Sequence, residues 1–304
     1  MQFLCIGVNG STEEVMRHIN EALRQLKNRK ISYSINEINS EGSSSIICMI
    51  NDGRFYREKS LESYKILKTY ISNALADYII RQYEEKLLMR IINSNYCYFN
   101  AAEKKEILQR ALGIIRNEDK TFINSLFQIR RRNVIIRRLM DYFDNSNSII
   151  IDGFVNFRLK DYIRDLEEIV DKAVDDFLMD REYREFIRLL RYFVEIQEPK
   201  IDTVHVIVNY DNRYTLLDGS KREITNECIQ EYANEITEGE INYDDLLVSS
   251  LITFAPRKIV IHGMGHSRNK ELMETIKNVF SGRVIMCQGC DVCSVKIAKS
   301  ETKK

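Results

Sequence analysis

Late in the chain, Cys287-Gln288-Gly289-Cys290-Asp291-Val292-Cys293 sets three cysteines at two-residue intervals. Thiolates spaced in this way can wrap one soft ion, because the intervening turn brings successive sulfurs to one side. A closed tetrahedral zinc site needs one more donor. The loop His262-Gly263-Met264-Gly265-His266 can supply it, so the candidate metal ligands are Cys287, Cys290, Cys293, His262 and His266. Zinc in a Cys3His set suits these donors. An iron–sulfur cluster suits them less, since no fourth cysteine completes a ferredoxin-type spacing. A thiol–disulfide couple of Cys287 and Cys290 is a third use. Incidental thiols in a solvated tail are the bland alternative.

Other stretches carry weaker signals. Gly263-Met264-Gly265 and Asn9-Gly10-Ser11 each follow a strand-like run, where a following helix N-terminus attracts phosphate. The first has Arg268 where a dinucleotide fingerprint needs its third glycine, and the second lacks the P-loop lysine. Both read as tight turns. Between Gln128 and Arg138 five arginines occur without an acid. Arg130, Arg131, Arg137 and Arg138 make a candidate nucleic-acid contact strip; a helix face salt-bridged to the acidic run 165–185 is the competing reading. That run, from Glu167 to Asp180, contains no histidine, so it reads as a solvated face and not as a carboxylate metal site. His18 and His205 read as isolated structural residues. No G-x-S-x-G nucleophile motif occurs, and no residue is assigned a catalytic or cofactor-binding role.

The elements that must position these groups follow from periodicity. Phe3 to Val8 reads as a strand, Ser11-Thr12-Glu13-Glu14 as a capping box, and Val15, Ile19, Leu23 and Leu26 as one helical face. Two strands follow, around 31–35 and 46–50, giving a small β-α-β-β unit over residues 1–58. With prolines only at Pro199 and Pro256, long helices are permitted. Residues 59–199 read as a bundle-like helical region, interrupted near Asn93 and at a short apolar stretch from Ile149. Its two clearest stripes are Tyr64, Leu67, Ile71, Leu75, Tyr78 and Ile79, then Leu159, Ile163, Leu166, Val170, Ala173 and Phe177.

After Pro199 the pattern becomes α/β. Val204, Val206 and Val208 alternate as a strand that pairs with Tyr214 to Leu217 as a hairpin, through a turn at Asp218-Gly219 or just before it. Helices follow at about 225–236 and 243–254. Strand 257–262, helix 269–280 and strand 283–287 form a βαβ unit whose strands should be parallel. Parallel strands open their C-terminal loops on one sheet edge, which would bring the His262 loop and the cysteine run together. The fold class is therefore helix-dominated α+β, with a C-terminal α/β domain over residues 200–304.

Bulk properties narrow the function. The 304 residues include 45 Lys plus Arg and 45 Asp plus Glu, so the formal net charge is zero. A nucleic-acid binder draws most of its affinity from surplus positive charge, so that class is not favoured. No run approaches the ~18 apolar residues that span a bilayer, and no membrane insertion is expected. Met1 to Val8 lacks a basic lead-in and reads as a strand, not a secretory signal. The single cysteines Cys5, Cys48, Cys97 and Cys228 suit a reducing, cytoplasmic setting.

The stretch from Ile149 to Lys200, above all Gly153-Phe154 to Tyr162 and Arg188 to Pro199, resembles the YtxC-like family. That resemblance implies a cytosolic bacterial protein with a link to sporulation and supplies no catalytic residue. The leading expectation is a non-enzymatic protein acting on an unknown protein partner. A metal or redox module at the cysteine run, and nucleic-acid binding through the arginines, are the alternatives.

Overall fold

The computed structural model of the chain describes residues 3–9, 12–27, 31–40, 43–50, 57–116, 122–209, 213–225, 242–263 and 269–291. They form a helix-dominated α+β protein, as the patterning predicts, with two compact units, Met1–Leu178 and Met179–Lys304. The division falls within one long helix, and Pro199 follows the end of that helix. Among the described residues, no helix is long and apolar enough to cross a membrane.

The first unit opens with β1 (Phe3–Val8), α1 (Glu13–Lys27) and a hairpin of β2 (Tyr33–Ser40) and β3 (Ser43–Ile50). Leu4, Ile6 and Val8 are buried on one face of β1, which is the period-two pattern of a half-covered strand. The capping-box residue Ser11 lies outside the described residues. The helix starts at Glu13, and the Thr12 hydroxyl before it donates to the Glu37 carboxylate.

Three helices follow: α2 (Arg57–Asn95), α3 (Ala101–Arg116) and α4 (Phe122–Asn145). The stripe from Tyr64 to Ile79 is buried in the core of this unit. Asn100 caps α3: its side-chain oxygen accepts from the amides of Ala102 and Glu103, while the Glu103 carboxylate accepts from the Asn100 amide. The chain then returns as β4 (Ser148–Ile150), which pairs in parallel with β1 to give the sheet order β2-β3-β1-β4. The approach is close at Gly7, where a Cβ would stand 3.3 Å from Ile150 Cγ1. The N-terminal strands therefore share a sheet with a strand from beyond the helices, and among the described residues no later strand belongs to that sheet. After α5 (Ile151–Arg158), Leu159 and, from the helix α6 (Lys160–Ile196), Leu166, Val170, Ala173 and Phe177 of the second predicted stripe are buried in the same core.

The second unit begins with the last turns of α6 and continues with β5 (Thr203–Val208), β6 (Tyr214–Leu217), α7 (Tyr243–Phe254), β7 (Lys258–His262), α8 (Lys270–Val279) and β8 (Val284–Met286). Its sheet order is β6-β5-β7-β8; the β5–β6 hairpin is antiparallel and the β5–β7 and β7–β8 pairs are parallel. The hairpin turns between Asn209 and Arg213, whose backbone groups bond at 3.0 Å. Asp218-Gly219 instead makes the next reversal, in which Ile224 N–H donates to Leu216 O at 2.9 Å. The helix expected from 225 lies almost wholly outside the described residues. Val204, Val206, Val208, Ile259 and Ile261 face a core built with Leu247, Leu251, Met273 and Ile276.

Candidate metal centre

Strand alternation decides where the chemistry goes. With Ile259 and Ile261 turned to the hydrophobic core, Val260 and His262 point to the opposite face of β7. The same parity puts His205 and Ile207 of the parallel neighbour β5 on that face. His262 closes β7 and is 2% exposed. Gly263, with φ +75°, then turns the chain away in a conformation that L side chains rarely adopt.

On the other side, Cys287 extends the β7–β8 ladder by one residue, donating its amide to Ile261 O at 2.9 Å. The following turn uses Gly289 at φ +137°, another position suited to glycine, and the Gly289 amide donates to Cys287 Sγ at 3.4 Å. This turn brings Cys290 back toward the strand, with its Sγ 3.4 Å from His262 Nδ1. The donor atoms of His262, Cys287 and Cys290 all lie within 4.8 Å of one another. Zn–S bonds of about 2.3 Å and Zn–N bonds of about 2.0 Å put sulfur and nitrogen about 3.5 Å apart on a tetrahedron. The Cys290–His262 separation matches that edge.

His262 has a second neighbour. His205 Nδ1 stands 2.9 Å from His262 Nε2, with ring centroids 5.2 Å apart. Burial, then the charge of Lys221 and Lys258, lowers the pKa of His205. Burial, then His205 and Lys221, lowers that of His262. Both rings are thus held toward the neutral form that a metal ligand requires. If His262 offers Nδ1 to an ion, its Nε2–H donates to His205 Nδ1, the arrangement by which outer partners fix a ligand's tautomer. His205, expected from the sequence to stand alone, is thus a neighbour of His262; the alternation of Val204, Val206 and Val208, carried across to Ile259 and Ile261, is the signal that places it there.

Of the five predicted ligands, the structure brings His262, Cys287 and Cys290 together, while His266 and Cys293 lie outside the described residues. The arginine strip, on α4, is mostly engaged within its own unit. Arg131 is 5% exposed and its guanidinium binds the Glu84 carboxylate, which also accepts from Tyr162 at 2.8 Å, so it offers no phosphate contact. Arg132 grips Asp77 through two bonds of 2.7 and 3.1 Å, and Arg138 pairs with Asp161. Arg130 and Arg137 are exposed. The partners of Arg131, Arg132 and Arg138 are thus Glu84, Asp77 and Asp161, and not the acidic run 165–185. His18 packs edge-on against Tyr78 in the core, as a structural residue.

Residues 69–285 match the YtxC-like family. The chain is also similar to a protein of Bacillus subtilis (strain 168) called uncharacterized protein YtxC, 26% identical over 231 residues that cover 75% of this chain and 80% of that protein. No solved structure matches the chain. The family match takes in His205 and His262 and ends just before the cysteine run.

Proposed function

The chain belongs to the YtxC-like family, and we propose that its second unit holds one zinc ion between His262, Cys287 and Cys290. The observation that carries this reading is the convergence of one imidazole and two sulfurs at the same end of two parallel strands. Soft thiolates with a neutral imidazole favour zinc over oxygen-seeking cations. One nitrogen with two sulfurs also favours zinc over a cluster held by four cysteines. Cys293 and His266 are the further donors that the sequence offers for a fourth position.

A zinc closed by four protein ligands is a structural centre. Here it pins the chain after β8 to the end of β7, where a three-residue strand has little ladder of its own. The wider role that fits such a centre is a cytoplasmic, sporulation-associated protein that works through protein contacts without catalysis. Reduced thiolates suit the cytoplasm, and the sporulation link rests on the family resemblance.

The test is elemental analysis of the full chain purified without oxygen. About one zinc per chain, lost in Cys287→Ser and in Cys290→Ser while the thermal melt of the first unit persists, is the expected result. A chain that takes up no zinc when reduced, or that isolates with Cys287 and Cys290 joined as a disulfide, overturns it.

A further inference from the structure

We propose that a groove in the second unit docks a basic amphipathic helix of a partner protein. This deepens the protein-contact role and is independent of the zinc. The groove has a volume of about 850 Å³ and runs between the last part of α6, α7 and α8. Its floor is apolar: Met179, Tyr183, Phe186 and Leu190 from α6 face Val248 and Ile252 from α7. The α6 residues recur at steps of four, three and four, so they form one stripe about three turns, or roughly 16 Å, long. Met179 is 68% exposed and Phe186 53%, large apolar side chains that a soluble surface has no reason to present in a row.

The rim supplies the charge argument. Asp180, Asp244, Asp245, Glu271 and Glu274 line the groove, and no lysine or arginine does so among the described residues. Asp244 is fixed in place by Tyr214, whose hydroxyl donates at 2.6 Å, and by the Asn269 amide at 2.7 Å. Tyr183 and Thr275 bond through their hydroxyls at 2.8 Å across the floor. An apolar floor between carboxylates complements a helix with one apolar face and lysines or arginines along its flanks. Met179 and the aromatic rings give the floor the adaptable surface that such helices use. A neutral or acidic helix would place no cation against Asp245, Glu271 and Glu274.

The test uses the full chain and a fluorescently labelled designed peptide of leucine and lysine, with leucines at helical spacing. A control peptide has the same composition in scrambled order. The expected result is saturable anisotropy with the amphipathic peptide and none with the control. Phe186→Asp weakens binding by at least about fivefold, and Glu271→Lys with Glu274→Lys weakens it more at low than at high salt. Wild-type thermal melts and zinc content in these variants show that the fold and the metal site stand, so this result is read apart from that of the zinc. Absence of saturable binding, equal binding of the control, or equal binding by the variants overturns the proposal. So does concentration-dependent dimerisation that Phe186→Asp abolishes and the peptide fails to displace, which would make a second copy the occupant.

Discussion

His205 Nδ1 lies 2.9 Å from His262 Nε2, across two parallel strands and on the sheet face turned away from the hydrophobic core. The contact leaves His262 Nδ1 for Cys290, 3.4 Å away, so the two nitrogens of one ring have separate tasks. His205→Phe removes the outer acceptor without removing a ligand. Zinc stoichiometry is expected to persist while affinity falls by roughly 10- to 100-fold, read by competition with a chromophoric chelator. Unaltered affinity would place His205 outside the site's electronics.

Glu84 and Arg131 form a buried ion pair in the first unit, with Tyr162 as a third member. Replacing one partner leaves a charge stranded away from water. Arg131→Met is expected to cost about 3–5 kcal/mol in denaturant unfolding, and Arg131→Met with Glu84→Gln less than that. Arg138→Ala, at a solvent-exposed pair, is expected to change little. A double variant as unstable as Arg131→Met alone would show that packing, not charge, sets the cost.

Cys48 is fully buried on β3, and burial, with Cys5 nearby, pushes its thiol from 9.0 up to about 12. The folded chain keeps this proton where the unfolded chain has lost it. The contribution to stability is therefore complete below about 9 and is lost as pH rises towards about 12. One such group adds a slope of at most about 1.4 kcal/mol per pH unit. Cys48→Ala is expected to flatten the alkaline fall in stability across that window. An equal slope in both proteins would assign the fall to other groups, such as the buried Tyr162, whose pKa is also raised by burial.

Much of this arrangement is legible in the sequence, because it depends on local periods. The stripes at 64–79 and 159–177 reach the core, and strand–helix–strand spacing predicts the parallel pair that carries His262 and Cys287 to one edge. Long-range pairing is less legible. β4 is three residues long and joins β1 from more than a hundred residues away, which no local pattern announces. The arginines of α4 find carboxylates 47, 55 and 23 residues distant, through helix packing that charge counting along the chain does not capture. The placement of His205 is hidden for a related reason: alternation marks the apolar residues that fill a core, while the site sits on the other face.

X-ray absorption at the zinc edge of the reduced chain is the sharpest test of a centre built on His262, Cys287 and Cys290. The expected spectrum is a mixed coordination shell, with sulfur at about 2.3 Å and nitrogen at about 2.0 Å, that loses sulfur in Cys290→Ser. A shell of oxygen and nitrogen alone, or a spectrum unchanged by that substitution, would contradict it.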